Sequence, residues 1–239
     1  MVYKAYDPEL DRVVAVKRLH RRRAGDTETR SRFEREVLLM RQLDHPALLP
    51  ILDFDLKPAQ PWFATDLCSK GSLADIVVRR AVSTAELLIY ALEVLDALSH
   101  IHAAGIVHRD IKPENILIDE HDAARLGDFG IAHSPFHNDT QVGSRLGTPS
   151  FSSPEQNKDP TLTTPRSDLY GVGAMLYVCQ QRRTPVPLLL SRTRRDALER
   201  LPTTIRAIVR RATALDPDLR YESAEAMADD VAYALERCG

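Results

Sequence analysis

Hydrophobic and polar positions change rhythm part-way along the chain. Val2 to Tyr6 and Val13 to Lys17 carry the β-branched and aromatic residues of strands, joined by the polar turn Asp7-Pro8-Glu9-Leu10-Asp11-Arg12. Phe33, Val37 and Met40 recur at helical spacing, which predicts an amphipathic helix over Arg30 to Leu43, and Pro46 closes the segment after it. Leu49 to Asp55 and Trp62 to Asp66 predict two further strands. After the linker Cys68-Ser69-Lys70-Gly71 the pattern turns largely helical from Leu73 onward. Ser83-Thr84-Ala85-Glu86 is a capping box opening a long apolar helix to about Ala104, where Gly105 supplies the stop. Short strands at Ile116 to Ile118 and Ala124 to Leu126 flank an Asp-rich turn. Arg166 to Gln181 predicts a second, buried helix, and Thr203 to Ala214 and Ala224 to Arg237 predict closing helices. The expectation is an α+β chain with a strand-rich N-lobe (1–67) and a helix-rich C-lobe (68–239). A cleft between such lobes is the natural place for a ligand.

Composition narrows the function classes. With 239 residues, 44% hydrophobic and 28% charged, the chain has the balance of a soluble globular protein of one or two domains. A formal net charge of −2 gives no global field for nucleic acid, so no nucleic-acid partner is expected. Arg21-Arg22-Arg23 and the cluster at Arg192, Arg194 and Arg195 fit solvated faces as well as docking sites. Cys68, Cys179 and Cys238 are far apart, which suggests neither a disulfide framework nor zinc and fits a reducing, cytoplasmic setting. No apolar run reaches the roughly 18 residues of a membrane span, and the polar first residues read as a strand rather than a signal peptide.

The chemistry concentrates in His108-Arg109-Asp110-Ile111-Lys112-Pro113-Glu114-Asn115. Asp110 is placed to accept a proton from a hydroxyl, Lys112 to neutralise a phosphate, and Asn115 to hold a divalent metal through its amide oxygen. Phosphoryl transfer needs that set, because its catalysis is mostly positioning and charge neutralisation. Lys17 ends an apolar strand and wants an anionic partner, with Glu36 in the following helix as the candidate; taken alone a strand-edge lysine reads more readily as structural, and the order of the other motifs shifts the balance. Asp128-Phe129-Gly130 offers a second oxygen ligand for Mg²⁺. Downstream, Thr140 and Ser144 lie in a hydroxyl-bearing loop whose phosphorylation would supply a charge for Arg109, and Thr148 is expected to hydrogen-bond to the Asp110–Lys112 loop. Asp168 and Arg220 read as structural: Asp168 accepting from the loop backbone, Arg220 pairing with Glu155.

Taken in order, Lys17, Glu36, H-R-D-I-K-P-E-N, D-F-G, G-T-P and S-P-E resemble the eukaryotic-like serine/threonine protein kinases of bacteria over almost the whole chain. The phrases V-Y-K-A-Y-D, H-P-A-L-L-P, G-S-L-A-D-I and R-Y-E-S-A-E-A-M are similar to that group in particular. The resemblance implies a bilobal protein-kinase-like fold that uses ATP and Mg²⁺ (or Mn²⁺). Its substrates would be Ser/Thr hydroxyls of proteins, with a second copy of itself in trans among them. It implies Asp110 as base, Lys112 on the γ-phosphate, Asn115 and Asp128 on the metal, and Lys17, oriented by Glu36, on the α/β-phosphates. Val2, Ala15 and Leu117 would sandwich the adenine, Asp66 and Cys68 would form the hinge, Thr65 the gatekeeper position and Asp75 the ribose contact. Arg109 would mark control by activation-loop phosphorylation.

Two departures stand out. The family's glycine-rich loop precedes the residue that matches Val2, so the expectation is a chain truncated at that loop, either because its start is assigned too far downstream or because the loop is lost, the latter with weakened ATP binding. The stretch Thr184 to Leu201 is shorter than the family's docking segment. The alternative is a binding or scaffolding module that keeps the fold with little transfer.

Overall fold

Alternating side chains on the first two strands match their observed pairing. In the computed structural model, which describes residues 1–22, 24–129 and 151–238, β1 (Val2–Asp7) and β2 (Arg12–Arg18) form an antiparallel hairpin. Arg23, Gly130, Thr140, Ser144, Arg145, Gly147, Thr148 and Pro149 lie outside the described residues. With β3 (Ile51–Asp55) and β4 (Trp62–Asp66) the hairpin makes a four-stranded antiparallel sheet in the order β1-β2-β4-β3. The register sets Val2 opposite Lys17 and Ala15 opposite Thr65. Ala15 and Lys17 therefore share one face, since strand side chains alternate.

Helix α1 (Thr27–Met40) covers this sheet through Phe33 and Val37, which pack with Leu19 and Phe63. It starts a turn earlier than the periodicity predicts because Asp26 accepts from the Glu28 amide at 3.1 Å and caps it there. It ends earlier too, where Gln42 and Leu43 donate to Leu39 and Met40 in a tightened last turn. Strand β3 likewise begins at Ile51 rather than Leu49. The Leu49 amide donates instead to Leu126 at 2.9 Å, and Leu126 donates to Ala47 at 2.8 Å. Those residues thus stitch the first part of the chain to a strand of the second.

The second part is built on α3 (Thr84–Ala103), which buries Leu87, Leu88, Ala91, Val94, Leu95, Leu98 and Ile101 on one side. Before it come β5 (Gly71–Ser72) and α2 (Leu73–Arg79); after it β6 (Ile116–Ile118) and β7 (Ala124–Leu126) pair with β5 in a small sheet of order β5-β6-β7. Helices α4 (Pro154–Lys158), α5 (Pro165–Gln181), α8 (Thr203–Ala212) and α9 (Ala224–Glu236) complete the helical layer. Between Gln181 and Thr203 the chain folds as α6 (Val186–Leu189) and α7 (Ser191–Glu199). The expected α+β fold, a small antiparallel sheet beside a helical body, is what the chain adopts. Among the described residues no helix is long and apolar enough to cross a membrane.

Helix ends follow the sequence signals. Ser83 accepts from the Glu86 amide at 3.1 Å, and Gly105 takes a φ of 75° that disfavours a Cβ. Ser83→Ala is expected to lower stability by about 1 kcal/mol, read as a small fall in urea midpoint at unchanged m-value. Gly171 in α5 has a different task. A Cβ there would lie 2.7 Å from the Ile111 Cβ, so only glycine lets α5 press against the loop that carries Asp110.

Candidate active site

A buried carboxylate organises the loop. Asp168, 1% exposed near the start of α5, accepts from the His108 amide at 2.8 Å, the Arg109 amide at 2.7 Å and His102 Nε2 at 2.8 Å. A carboxylate so buried requires such donors, and here they come from the very turn that must be held. Arg109 adopts φ 72°, unusual for a residue with a Cβ, and its carbonyl accepts from Gln156 Nε2 at 2.7 Å. The surroundings therefore over-determine a conformation the residue would not choose alone.

His108 fills the space beneath. Its ring packs on Phe129 with centroids 4.7 Å apart, Nε2 donates to the Gly127 carbonyl at 3.1 Å, and Nδ1 accepts from the Asp110 amide at 3.3 Å. Those two contacts assign the proton to Nε2 of a neutral ring, and burial lowers its pKa accordingly. His108 thus links the two motifs: it sits on Phe129 and holds the backbone at Asp110.

Above this base several of the residues singled out by sequence converge. Asp110 Oδ2 accepts from Lys112 Nζ at 2.7 Å and from Asn115 Nδ2 at 2.8 Å. Asn115 Nδ2 also donates to the Asp110 carbonyl at 2.8 Å, which leaves its amide oxygen turned away from Asp110. Asp128, also at positive φ (51°), presents a carboxylate whose side chain is 49% exposed. Lys17 Nζ reaches it at 2.7 Å and contacts Glu36 Oε1 at 3.3 Å. Burial opposes the Lys17 charge, but Asp128 and Glu36 outweigh it and hold the ammonium above its usual pKa. Burial pushes the Glu36 carboxyl up, with Lys17 pulling against that. Residues more than a hundred positions apart in sequence, Lys17 and Asp128, therefore meet in one cluster.

The remaining predicted positions have different commitments. Thr65 is buried on β4 beside Ala15. Asp66 pairs with Arg12 at 2.8 Å. Burial drives the Cys68 thiol up to about 12, so it is not a nucleophile at neutral pH. Val2 lies opposite Lys17, and Leu117 sits in β6 opposite Arg125. Asp75 closes the cap of α2, accepting from the Ser72 amide at 3.0 Å and the Ser72 hydroxyl at 2.6 Å. The Arg109 side chain is exposed, while its backbone does the anchoring.

Below the loop, Arg220 grips Glu155 through two bonds of 2.7 and 2.8 Å, and Ser167 donates to the same carboxylate at 2.7 Å. Burial alone would raise Glu155, but Arg220, Ser153 and Ser167 bring it to about 2. Sequence reasoning missed His102, Gln156 and Ser167. Their partners lie on distant segments, and no local spacing signals them.

Among the described residues no group of three or more His, Cys, Asp or Glu could hold a metal ion. The cluster is a different kind of site: the carboxylates of Glu36, Asp110 and Asp128 interleaved with the ammonium groups of Lys17 and Lys112 and the Asn115 amide. Comparison with known proteins agrees. Residues 1–232 match the family described as the protein kinase domain. The chain is 34% identical over 244 residues to the serine/threonine-protein kinase PknL of Mycobacterium tuberculosis, covering 96% of this chain and 61% of that protein. It is 33% identical to the serine/threonine-protein kinase PrkC of Bacillus subtilis, over 98% of this chain and 38% of that one. The crystal structure of the M. tuberculosis PknI kinase domain superposes with a TM-score of 0.74 at 26% identity, over 98% of this chain and 89% of the other. Fold, loop architecture and sequence thus converge, and the chain belongs to the protein kinase domain family.

Proposed function

We propose that this chain is a serine/threonine protein kinase that moves the γ-phosphoryl group of ATP to hydroxyls of protein substrates. It spans 61% of PknL and 38% of PrkC, so the reading concerns the domain. One observation carries it: Asp110, with Lys112 and Asn115 on its carboxylate, stands beside the Lys17–Asp128–Glu36 cluster. Asp110 takes the proton of the incoming hydroxyl as the oxygen bonds to phosphorus and the bond from phosphorus to the leaving oxygen breaks. Lys112, 2.7 Å away, remains near enough to neutralise the group being transferred.

Mg²⁺ (or Mn²⁺) fits the donors present. Asp128 offers an accessible carboxylate, and Asn115 an amide oxygen freed by the engagement of its nitrogen with Asp110. Such an ion needs only one or two protein ligands beside phosphate oxygens, and it supplies charge neutralisation when bound. Lys17 takes the α/β-phosphates, released from Asp128 as phosphate oxygens compete for it, while Glu36 keeps it oriented. Val2, Ala15 and Leu117 bracket the adenine, with the hinge at Asp66 and Cys68, Thr65 behind it and Asp75 near the ribose. The same reading puts the lobe boundary between residues 67 and 68 and the setting in a reducing cytoplasm, and takes Thr140, Ser144 and Thr148 as regulatory hydroxyls, with Arg109 as the partner of an added phosphate. A second copy of the chain is a candidate substrate.

The test is transfer from labelled ATP to a generic basic protein, with Asp110→Asn as control. Transfer no greater than the control sinks the proposal. A thermal shift with Mg-ATP in the absence of transfer would mark a binding module instead. Lys17→Met is expected to lower kcat/KM for Mg-ATP by about 10–100-fold, the worth of a charge-assisted contact to phosphate, in a steady-state assay.

A further inference from the structure

Far from the cleft, a cavity of about 490 Å³ opens among the end of α5, α6 and α7. Its volume lies in the range of ligand sites. Tyr177, Pro187 and Ala197 give it an apolar wall, and Arg182, Arg183 and Arg200 stand around it. Its surroundings are the most one-sided charge of the chain: residues 182–211 hold nine arginines against two acids, Asp196 and Glu199, in a protein of net charge −2.

Most of those arginines have structural work. Arg194 donates to the Leu188 and Arg210 carbonyls at 3.0 and 2.9 Å, Arg206 to the Glu199 and Leu201 carbonyls, and Arg182 to Val78 at 3.1 Å. Arg195 takes Glu199 at 3.0 Å. Arg183 and Arg200 differ. Both are exposed, and neither side chain has a hydrogen-bond or ion-pair partner among the described residues. Both nonetheless lie near enough to the Tyr177 hydroxyl to oppose the upward effect of burial on it. The two threonine hydroxyls on the wall are engaged locally: Thr193 donates to the Pro187 carbonyl at 3.0 Å, and Thr184 accepts from the Val186 amide at 3.2 Å. Among the described residues, the polar groups left for a ligand are therefore the two guanidinium forks and the Tyr177 hydroxyl beside an apolar hollow, with Asp196 as the opposing charge.

We propose that this cavity docks an acidic segment of a protein partner: one large apolar side chain enters against Tyr177, Pro187 and Ala197, and flanking carboxylates pair with Arg183 and Arg200. Arginine forks match carboxylates in bidentate geometry, and recognition of acidic motifs by arginine clusters is a recurring mode. The apolar wall argues against nucleic acid or an anionic lipid surface, which satisfy cations without filling a hollow. That the partner is the phosphate acceptor rests on the kinase reading; the docking itself does not.

Fluorescence anisotropy tests the site with a labelled five-residue peptide bearing a central phenylalanine and glutamates on either side. It is expected to bind saturably, at least tenfold more tightly than analogues with glutamines for glutamates or a central alanine. Arg183→Glu with Arg200→Glu should weaken it at least tenfold, and Asp196→Asn should tighten it several-fold; all three positions are exposed, so melting temperatures should hold. Equal affinity for the central-alanine analogue, indifference to the arginine reversals, or stronger binding of RNA or anionic vesicles by the same arginines would overturn the proposal. On an acceptor peptide extended by this segment, the arginine reversals should raise KM and leave kcat unchanged, with no effect on the unextended peptide. Peptide binding without any transfer by the wild type would support the docking site while overturning phosphotransfer.

Discussion

Asp110→Asn is expected to lower kcat for protein phosphorylation by about 10²–10⁴-fold, the usual worth of a positioned general base. The change is nearly isosteric. The amide keeps one oxygen to accept from Lys112 or Asn115, which approach the present carboxylate at 2.7 and 2.8 Å, but it has no basic site for the hydroxyl proton. The anchors of the loop lie elsewhere, in the amides of His108 and Arg109 bonded to Asp168. The loop should therefore keep its shape, and the melting temperature should move by only a few degrees. Nucleotide affinity separates the two roles: Mg-ATP should still shift the melting temperature of the variant. Parallel loss of transfer and of the nucleotide shift would show that the substitution disturbs the cleft, and that Asp110 does not act as the base alone.

Arg220→Ala is expected to cost about 3–5 kcal/mol of stability, because it leaves the Glu155 carboxylate half-buried without its cation. For a chain of this size each kcal/mol moves Tm by about 2–4 °C, so a fall of about 10 °C should appear in calorimetry. The Arg220 side chain is fully buried and also donates to the Ala214 and Arg166 carbonyls, so packing is lost with the charge. Glu155→Gln added to Arg220→Met should recover much of the loss, since a neutral pair removes the stranded charge. The same ion pair sets a dependence on pH. Glu155 is held at about 2, below its ordinary value of 4.5, so its contribution is fully present above pH 4.5. That contribution is lost as the pH falls toward 2. The stability gap between wild type and Arg220→Ala should therefore narrow through that interval. A constant gap across it would detach the ion pair from stability.

Much of the site was legible because each motif carries its chemistry locally. Asp110, Lys112 and Asn115 fall within one turn of chain, and Asp128 follows a short strand, so spacing alone suggested an acid, a cation and a metal ligand. The strands and long helices were legible for the same reason: periods of two and 3.6 residues are written in consecutive positions. Boundaries were less so. Helix α1 begins where Asp26 caps it and β3 where Leu49 leaves the sheet for Leu126, and both depend on hydrogen bonds that hydrophobic rhythm does not encode. The Asp75 carboxylate, implied by family resemblance as a ribose contact, also closes the cap of α2 through Oδ2. That local use was readable from Ser72 and Asp75 at capping-box spacing, a signal the functional resemblance overshadowed.

By itself the sequence determined the kind of chemistry, the α+β class and the residues of the H-R-D-I-K-P-E-N and D-F-G turns, because those properties depend on neighbours a few positions apart. Only the tertiary structure decided that Lys17 reaches both Asp128 and Glu36, that His102 and Gln156 help hold the loop, and that Arg183 and Arg200 stand beside Tyr177 with no partner among the described residues. Most of those contacts join residues too far apart along the chain for helix or strand spacing to bring them together. Which of them form is set by burial of the helical core and by the demand that every buried carboxylate find its donors, and neither can be read from local spacing.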